Sequence, residues 1–196
     1  MWPSLLATLK ADLYRNDGRK GLPAFVRTVV TSPGYRYLVL LRICKAIRPN
    51  RLIRYSLYPF VLFWFARLGM KIGLRIPISC DIGDGLLIEH WGGVWVNPSA
   101  KMGKNVNISH GVTLGWVGHG VNRGAPIIGD HVFLGPGCTV LGKVTVGNHA
   151  LVSANTVVLQ DVPEEGVVIG VPGRVFSRQG SHEIIKFPYL PEAPRA

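Results

Sequence analysis

From Ile128 to Val158 every sixth residue is aliphatic: Ile128, Leu134, Val140, Val146, Val152 and Val158. Four places after each stands a small or β-branched residue, in turn Val132, Cys138, Val144, Ala150, Thr156 and Val162. Neither an α-helix, with a period of about 3.6, nor an ordinary strand, with a period of about 2, produces this step. A prism-shaped parallel β-helix does, because each of its three faces per coil turns one aliphatic side chain inward. A sandwich of short strands would instead alternate and turn at intervals of roughly 8–12 residues. The frame extends upstream through Ile76, Ile82 and Ile88, with Cys80, Leu86 and Gly92 in the small slots. After a two-residue slip it resumes at Val96, Met102, Ile108 and Leu114, with Ala100, Val106 and Val112. Residues 116–127 (WVGHGVNRGAPI) leave the frame before Ile128 restores it. The pattern predicts a mainly β protein: a parallel β-helix over 76–176, an α-helical segment over 1–75 and a tail over 177–196. The general preference for right-handed crossovers suggests a right-handed coil.

Ahead of the repeat, Leu5–Tyr14 and Pro23–Val30 read as short helices, and Ser32-Pro33-Gly34 breaks the chain. Tyr35–Ile47 then carries apolar residues at helical spacing with Arg36, Arg42 and Lys45 interleaved. In the following RLIRYSLYPFVLFWFARLGMKIG, the uncharged run from Tyr55 to Ala66 is 12 residues long and contains Pro59. Crossing a bilayer needs about 20. The run is either a core or subunit-contact helix, or a helix lying in the plane of a membrane with Arg51, Arg54, Arg67 and Lys71 toward lipid phosphates.

Charge divides the chain the same way. Residues 1–75 hold 14 Lys+Arg against two acids, a net +12, whereas 76–196 hold eight against nine, a net −1. A basic segment of this kind suits anionic lipid or saccharide; no recognition motif accompanies it, so nucleic acid is not an expected partner. The three cysteines form no framework. Cys80 and Cys138 occupy inward slots and Cys44 a helical stretch, so all three read as reduced core thiols. With no signal peptide legible in MWPSLLATLKADLYRND, the expected compartment is the cytoplasm, extending to the inner face of its membrane.

His90 and His110 each follow an aliphatic anchor by two places, in Ile88-Glu89-His90 and Ile108-Ser109-His110. Anchors at 88, 96, 102 and 108 put them one full coil apart. Their rings should therefore stack in adjacent rungs, about 4.8 Å apart by the strand spacing. Imidazoles that close disfavour double protonation, which leaves one neutral and able to act as a base. A lone outward histidine is an ordinary surface residue, but two in register beside the coil's long excursion point to a site. That excursion is glycine-rich (Gly118, Gly120, Gly124) and holds His119 and Arg123. A loop leaving a rigid solenoid is a usual place for substrate contacts; the alternative is a tolerated insertion.

At DGLLIEHWGGVWVNPSAKMGKNVNISHGVTLG, NRGAPIIGDHVFLGPGCTVLG and the terminal GVPGRV, the chain resembles the serine O-acetyltransferases. It is more similar still to the serine-acetyltransferase-like enzymes that O-acetylate sugars in exopolysaccharide synthesis, the colanic-acid type. The resemblance covers residues 75–176 and, loosely, the basic helices. It implies a left-handed coil, a homotrimer or a hexamer of two trimers paired through their helices, and direct acetyl transfer from acetyl-CoA without a metal. On this resemblance His90 is the general base, Glu89 the acid preceding it, and His110 a partner that positions the acceptor or tunes His90. Backbone N–H groups near Gly115 and Trp116 would polarise the thioester carbonyl. Gly135, Pro136, Gly137, Ser153, Ala154, Pro172 and Arg174 would line the CoA path between two β-helices, although glycines at coil corners also have a purely structural reading. Arg123, Trp91, Trp116 and His119 would meet the acceptor.

Several positions depart from true serine acetyltransferases. Arg75 stands where an aspartate orients the catalytic histidine, Gly124-Ala125 replaces the histidine expected after Arg123, and Trp91 replaces an alanine. With half of the amino-acid grip missing, a saccharide becomes the expected acceptor and serine the alternative. Trp91 and Trp116 would stack on a sugar ring or sit at a subunit interface. A carbonic-anhydrase-like zinc site from His90, His110 and His119 is a remote alternative, since two of the three share one column and the third is on a loop.

Overall fold

The computed structural model describes residues 2–190 of the chain. Three parallel faces wind about one axis. The first is built from Leu74–Arg75 (β1), Val94–Val96 (β4), Thr113–Gly115 (β7), Thr139–Leu141 (β10) and Val157–Val158 (β13). The second holds Asp81–Ile82 (β2), Lys101–Met102 (β5), Ile127–Ile128 (β8) and Thr145–Val146 (β11). The third holds Leu87–Ile88 (β3), Asn107–Ile108 (β6), Phe133–Leu134 (β9), Leu151–Val152 (β12) and Val167–Ile169 (β14). Arg174–Ser177 (β15) pairs antiparallel with β14 and ends the third face. The anchors from Ile76 to Val158 are all buried in one continuous core, as are Cys80, Cys138 and the other small slots except Gly92. Burial pushes the thiols of Cys44 and Cys80 up to about 11 and that of Cys138 to about 12, so all three are inert core groups.

Coil length is uneven. Ile88 pairs with Ile108, Ile108 with Leu134, and Leu134 with Val152. The spacing between rungs is therefore 20, then 26, then 18 residues. The two extra residues of the first coil fall between Ile88 and Val96, in the corner that carries His90; the eight extra of the second are the excursion. One corner column, Gly85, Asn105, His131, His149 and Glu165, repeats a left-handed backbone with φ between 56° and 77°. Asn and His tolerate that region better than most residues.

Five helices precede the coil: Trp2–Asp17 (α1), Leu22–Thr31 (α2), Pro33–Ile47 (α3), Arg51–Ser56 (α4) and Tyr58–Ile72 (α5). Ser32-Pro33-Gly34 starts a helix rather than only breaking one. The Ser32 side chain accepts the Tyr35 N–H and Pro33 fills the first turn, where its missing N–H costs nothing. Gly34 lies against β3 so closely that a Cβ there would sit 2.6 Å from the Ile88 carbonyl oxygen. The long apolar stretch after Asn50 is two helices, parted at Leu57 just ahead of Pro59. Among the described residues no helix is long and apolar enough to cross a membrane.

Part of the basic segment's charge is internal. Asp12 is fully buried, and its carboxylate accepts from Arg42 at 2.9 Å and from the Gly85 and Leu86 amides at 2.9 and 3.0 Å. Arg42 also donates to the carbonyls of Ile82 and Gly83. The tail beyond β15 runs back along the corner column. Ser181 bonds the His149 and His131 carbonyls, and the Tyr189 backbone exchanges two hydrogen bonds with the Asn105 side chain. Residues 191–196, the end of the predicted tail, lie outside the described residues.

Candidate active site

The corner from the third face to the first carries the histidines. Because Ile88, Ile108, Leu134 and Val152 are in register, the residues two places on form one column: His90, His110, Pro136 and Ala154. Both imidazoles are exposed. Their centroids are 6.1 Å apart with ring planes at 70°, so they meet edge to face rather than stacked about 4.8 Å apart. The widened corner accounts for this difference. Gly93, not Trp91, sits opposite Gly111, and Trp91-Gly92 lifts His90 out of strict register. Gly111 donates to the Gly92 carbonyl at 2.7 Å and Gly137 to the His110 carbonyl at 2.9 Å. The turn favours glycine, since Gly93, Gly111 and Gly137 have φ of 65°, 72° and 68° and a Cβ on Gly111 would sit 3.1 Å from the Gly137 Cα.

Below the histidines the column stays small. Gly135, Pro136, Gly137, Ser153 and Ala154 follow, and Gly170, Pro172 and Gly173 extend it past the next rung, where Gly173 donates to Val157 O at 2.7 Å. Arg174 opens β15 with an exposed side chain. Most of the residues expected for a CoA path are therefore aligned on successive rungs after His110.

The excursion is elsewhere. It leaves the far end of β7 as a short hairpin, with Val117 and Gly124 exchanging two 3.0 Å backbone hydrogen bonds. Asn122 ties its tip to the next coils through the Lys143 N–H and the Leu159 carbonyl. The first face thus separates Gly115, Trp116, His119 and Arg123 from His90 within one chain.

Glu89 turns toward the third face, not toward His90's side of the corner. It lines a cavity of about 520 Å³ with Arg15, Asn107 and the tail residues Glu183 and Lys186. Arg15 is buried beneath it, bonded to Asn107 Oδ1 and to the Lys186 and Gly85 carbonyls. Burial lowers its pKa to about 10, with the Glu89 and Asp12 charges opposing. Arg75 points along the first face and stacks its guanidinium 4.4 Å over Trp95. The sequence reading overlooked Trp95; its exposed position opposite Thr113, on the strand after the slip, was the available signal. Trp91, Trp95 and Trp116 are each about half exposed. Among the described residues no group of three or more His, Cys, Asp or Glu is arranged to hold a metal ion.

A second histidine cluster also escaped the sequence reading. His131 and His149 stack with centroids 4.7 Å apart and planes 7° apart, and His182 stacks on His149 at 4.5 Å. The His182 ring lies 3.0 Å from Glu165. The hexad spacing of His131 and His149 was visible in the sequence, but the third ring arrives only through the tail.

The chain is similar to known proteins over most of its length. Residues 125–160 match the bacterial transferase hexapeptide (six repeats) family. A serine acetyltransferase of Synechococcus elongatus is 33% identical over 181 residues, covering 90% of this chain and 70% of the relative. Several other curated serine acetyltransferases are spanned over only 61% to 64% of their length. The serine acetyltransferase of Brucella abortus solved with coenzyme A aligns with a TM-score of 0.75 and 28% identity, over 91% of this chain and 70% of that one. The Neisseria gonorrhoeae enzyme solved with serine aligns with a TM-score of 0.73 and 28% identity, over 89% and 70%. These relatives are named for serine, and none of them for a sugar, so the expected colanic-acid subtype finds no support in them.

Proposed function

We infer, for a chain that belongs to the serine acetyltransferase family, that acetyl passes directly from acetyl-CoA to an acceptor hydroxyl at the His90–His110 corner. Membership makes it an acyltransferase. One observation carries the reading: the two exposed histidines stand at the head of a track of small residues. In the proposed step His90 takes the hydroxyl proton as the oxygen attacks the thioester carbonyl. The tetrahedral intermediate then expels the thiolate, which receives that proton. A general base of this kind contributes roughly 10²–10⁴-fold. His110, 6.1 Å away, orients the acceptor or holds His90. The track below would admit the slender pantetheine arm.

The same proposal includes a left-handed coil and a trimer working in the cytoplasm. A trimer would bring the Arg123 hairpin of one copy toward the histidine corner of the next, supplying what one chain leaves apart. L-serine is the acceptor that the relatives support. A saccharide is the second reading, favoured by three features of this chain: Arg75, not an acid, at position 75 and stacked on Trp95, Gly124 after Arg123, and half-exposed Trp91 and Trp116. Measuring CoA release with L-serine and with a panel of glycosyl acceptors separates the two. Turnover with serine alone establishes the first and turnover with glycosyl acceptors alone the second. His90→Ala should lower the rate ~10²–10⁴-fold. No release with any acceptor, or an undiminished rate in His90→Ala, overturns the assignment.

A further inference from the structure

From Gly18 to Cys80 the chain has no Asp or Glu and 12 Lys+Arg. Within that acid-free stretch, α4 and α5 turn a large apolar surface to solvent. Phe65, Gly69 and Ile72 bury one side of α5 against the protein. On the opposite side Phe60, Phe63, Trp64, Arg67 and Lys71 recur at helical spacing and are all exposed. Phe60 and Phe63 are 61% and 59% exposed, and their rings pack on Trp64 at 6.2 and 5.8 Å. On α4, Leu52 and Tyr55 are 85% and 76% exposed, beside the exposed Arg51 and Arg54. Exposed aromatic patches of this kind mark interaction surfaces.

We propose that α4 and α5 form a docking face for an anionic lipid surface, lying in the plane of the membrane with the aromatics at the acyl boundary and the cations on the headgroup phosphates. Two features select this occupant. Neither helix is long and apolar enough to span, while an aromatic stripe interleaved with Arg and Lys is the pattern of an interfacial helix. Second, a self-complementary contact between copies would press Arg67 and Lys71 onto a region that offers no carboxylate from residue 18 to 80. Anionic headgroups supply the missing charge. The inference stands apart from the acetyl-transfer reading and survives if that fails.

The test is co-sedimentation of the full chain with vesicles of phosphatidylcholine alone and of phosphatidylcholine mixed with phosphatidylglycerol. Circular dichroism serves as the control that each variant folds. The protein should sediment with the anionic vesicles and far less with the neutral ones, and high salt should release it. Replacing both Arg67→Gln and Lys71→Gln should weaken partitioning roughly 30-fold. Phe63→Ser with Trp64→Ser should abolish it with the fold intact. Equal binding to neutral vesicles, no vesicle binding at all, or binding unchanged in the Gln variant would overturn the proposal. So would a patch variant that leaves lipid binding alone and dissociates an oligomer in sedimentation velocity, which would make the face a contact between copies.

Discussion

Asp12 joins three parts of the molecule with one carboxylate. It holds α1 to α3 through Arg42 and both to the β2–β3 corner through the Gly85 and Leu86 amides. With Asp12 fully buried and Arg42 nearly so, its worth lies in what breaking it would leave behind: a guanidinium in the interior without its counter-charge. Asp12→Asn should therefore destabilise the chain by about 3–5 kcal/mol, read as a shift of the urea midpoint. Replacing both partners with apolar residues, Asp12→Leu with Arg42→Met, should cost less than the single change. A single variant that unfolds like wild type would show the pair to be dispensable. Gly34 acts at the same scale by absence, since only a residue without Cβ lets α3 reach the Ile88 carbonyl beside the site. The sequence marked both as ordinary: Asp12 as an acid in a basic segment, Gly34 as a breaker.

Among the elements, the corner column and the tail form one unit. His131, His149 and His182 stack face to face, and the tail that brings His182 also bonds the His131 and His149 carbonyls. Burial lowers the His131 pKa below the usual 6.5, and the neighbouring His149, Arg15 and His182 lower it further, against Asp130. The unfolded chain then binds more protons than the folded one between that lowered value and about 6.5, so stability rises with pH across this window. It is fully present above about 6.5 and falls as pH drops through the folded value. The melting temperature of the wild type should drop between pH 7 and pH 5 more than that of His131→Asn, whose side chain suits the left-handed backbone and carries no charge. Parallel pH profiles for the two would remove His131 as the cause. The α5 surface differs from this corner in kind, because its aromatics are visible in the sequence but only the packing of Phe65, Gly69 and Ile72 tells which side is left bare.

For the whole molecule, the first face of the coil lies between the histidine corner and the Arg123 hairpin, and the proposed trimer would have to join them. If neighbouring copies complete the site, mixing His90→Ala chains with Arg123→Ala chains should restore wild-type sites at roughly a quarter of the interfaces of a randomly mixed trimer. Recovery of CoA release after co-refolding is the expected result, and mixed oligomers that stay inactive would count against a shared site. The hexad frame, the inward anchors, the inert thiols and the one-coil spacing of His90 and His110 are all legible in the sequence. They are local arithmetic: the pleat sets which side chain turns inward, and each rung repeats the rule without consulting distant residues. The sequence also showed the two-residue slip, but not that widening the corner would turn stacked rings edge to face. Only the tertiary structure decided where Arg75 points, that Glu89 faces the tail cavity instead of the histidines, that Asp12 and Arg42 cancel inside the molecule, and that the tail brings a third imidazole to the corner. Arg75 meets its neighbour on the next rung, and the others depend on how helices and tail seat against the solenoid, across intervals of 30 to 171 residues for the Asp12–Arg42 and Arg15–Lys186 contacts. No periodicity encodes such contacts, because they are fixed by shape and by the need to give every buried polar group a partner.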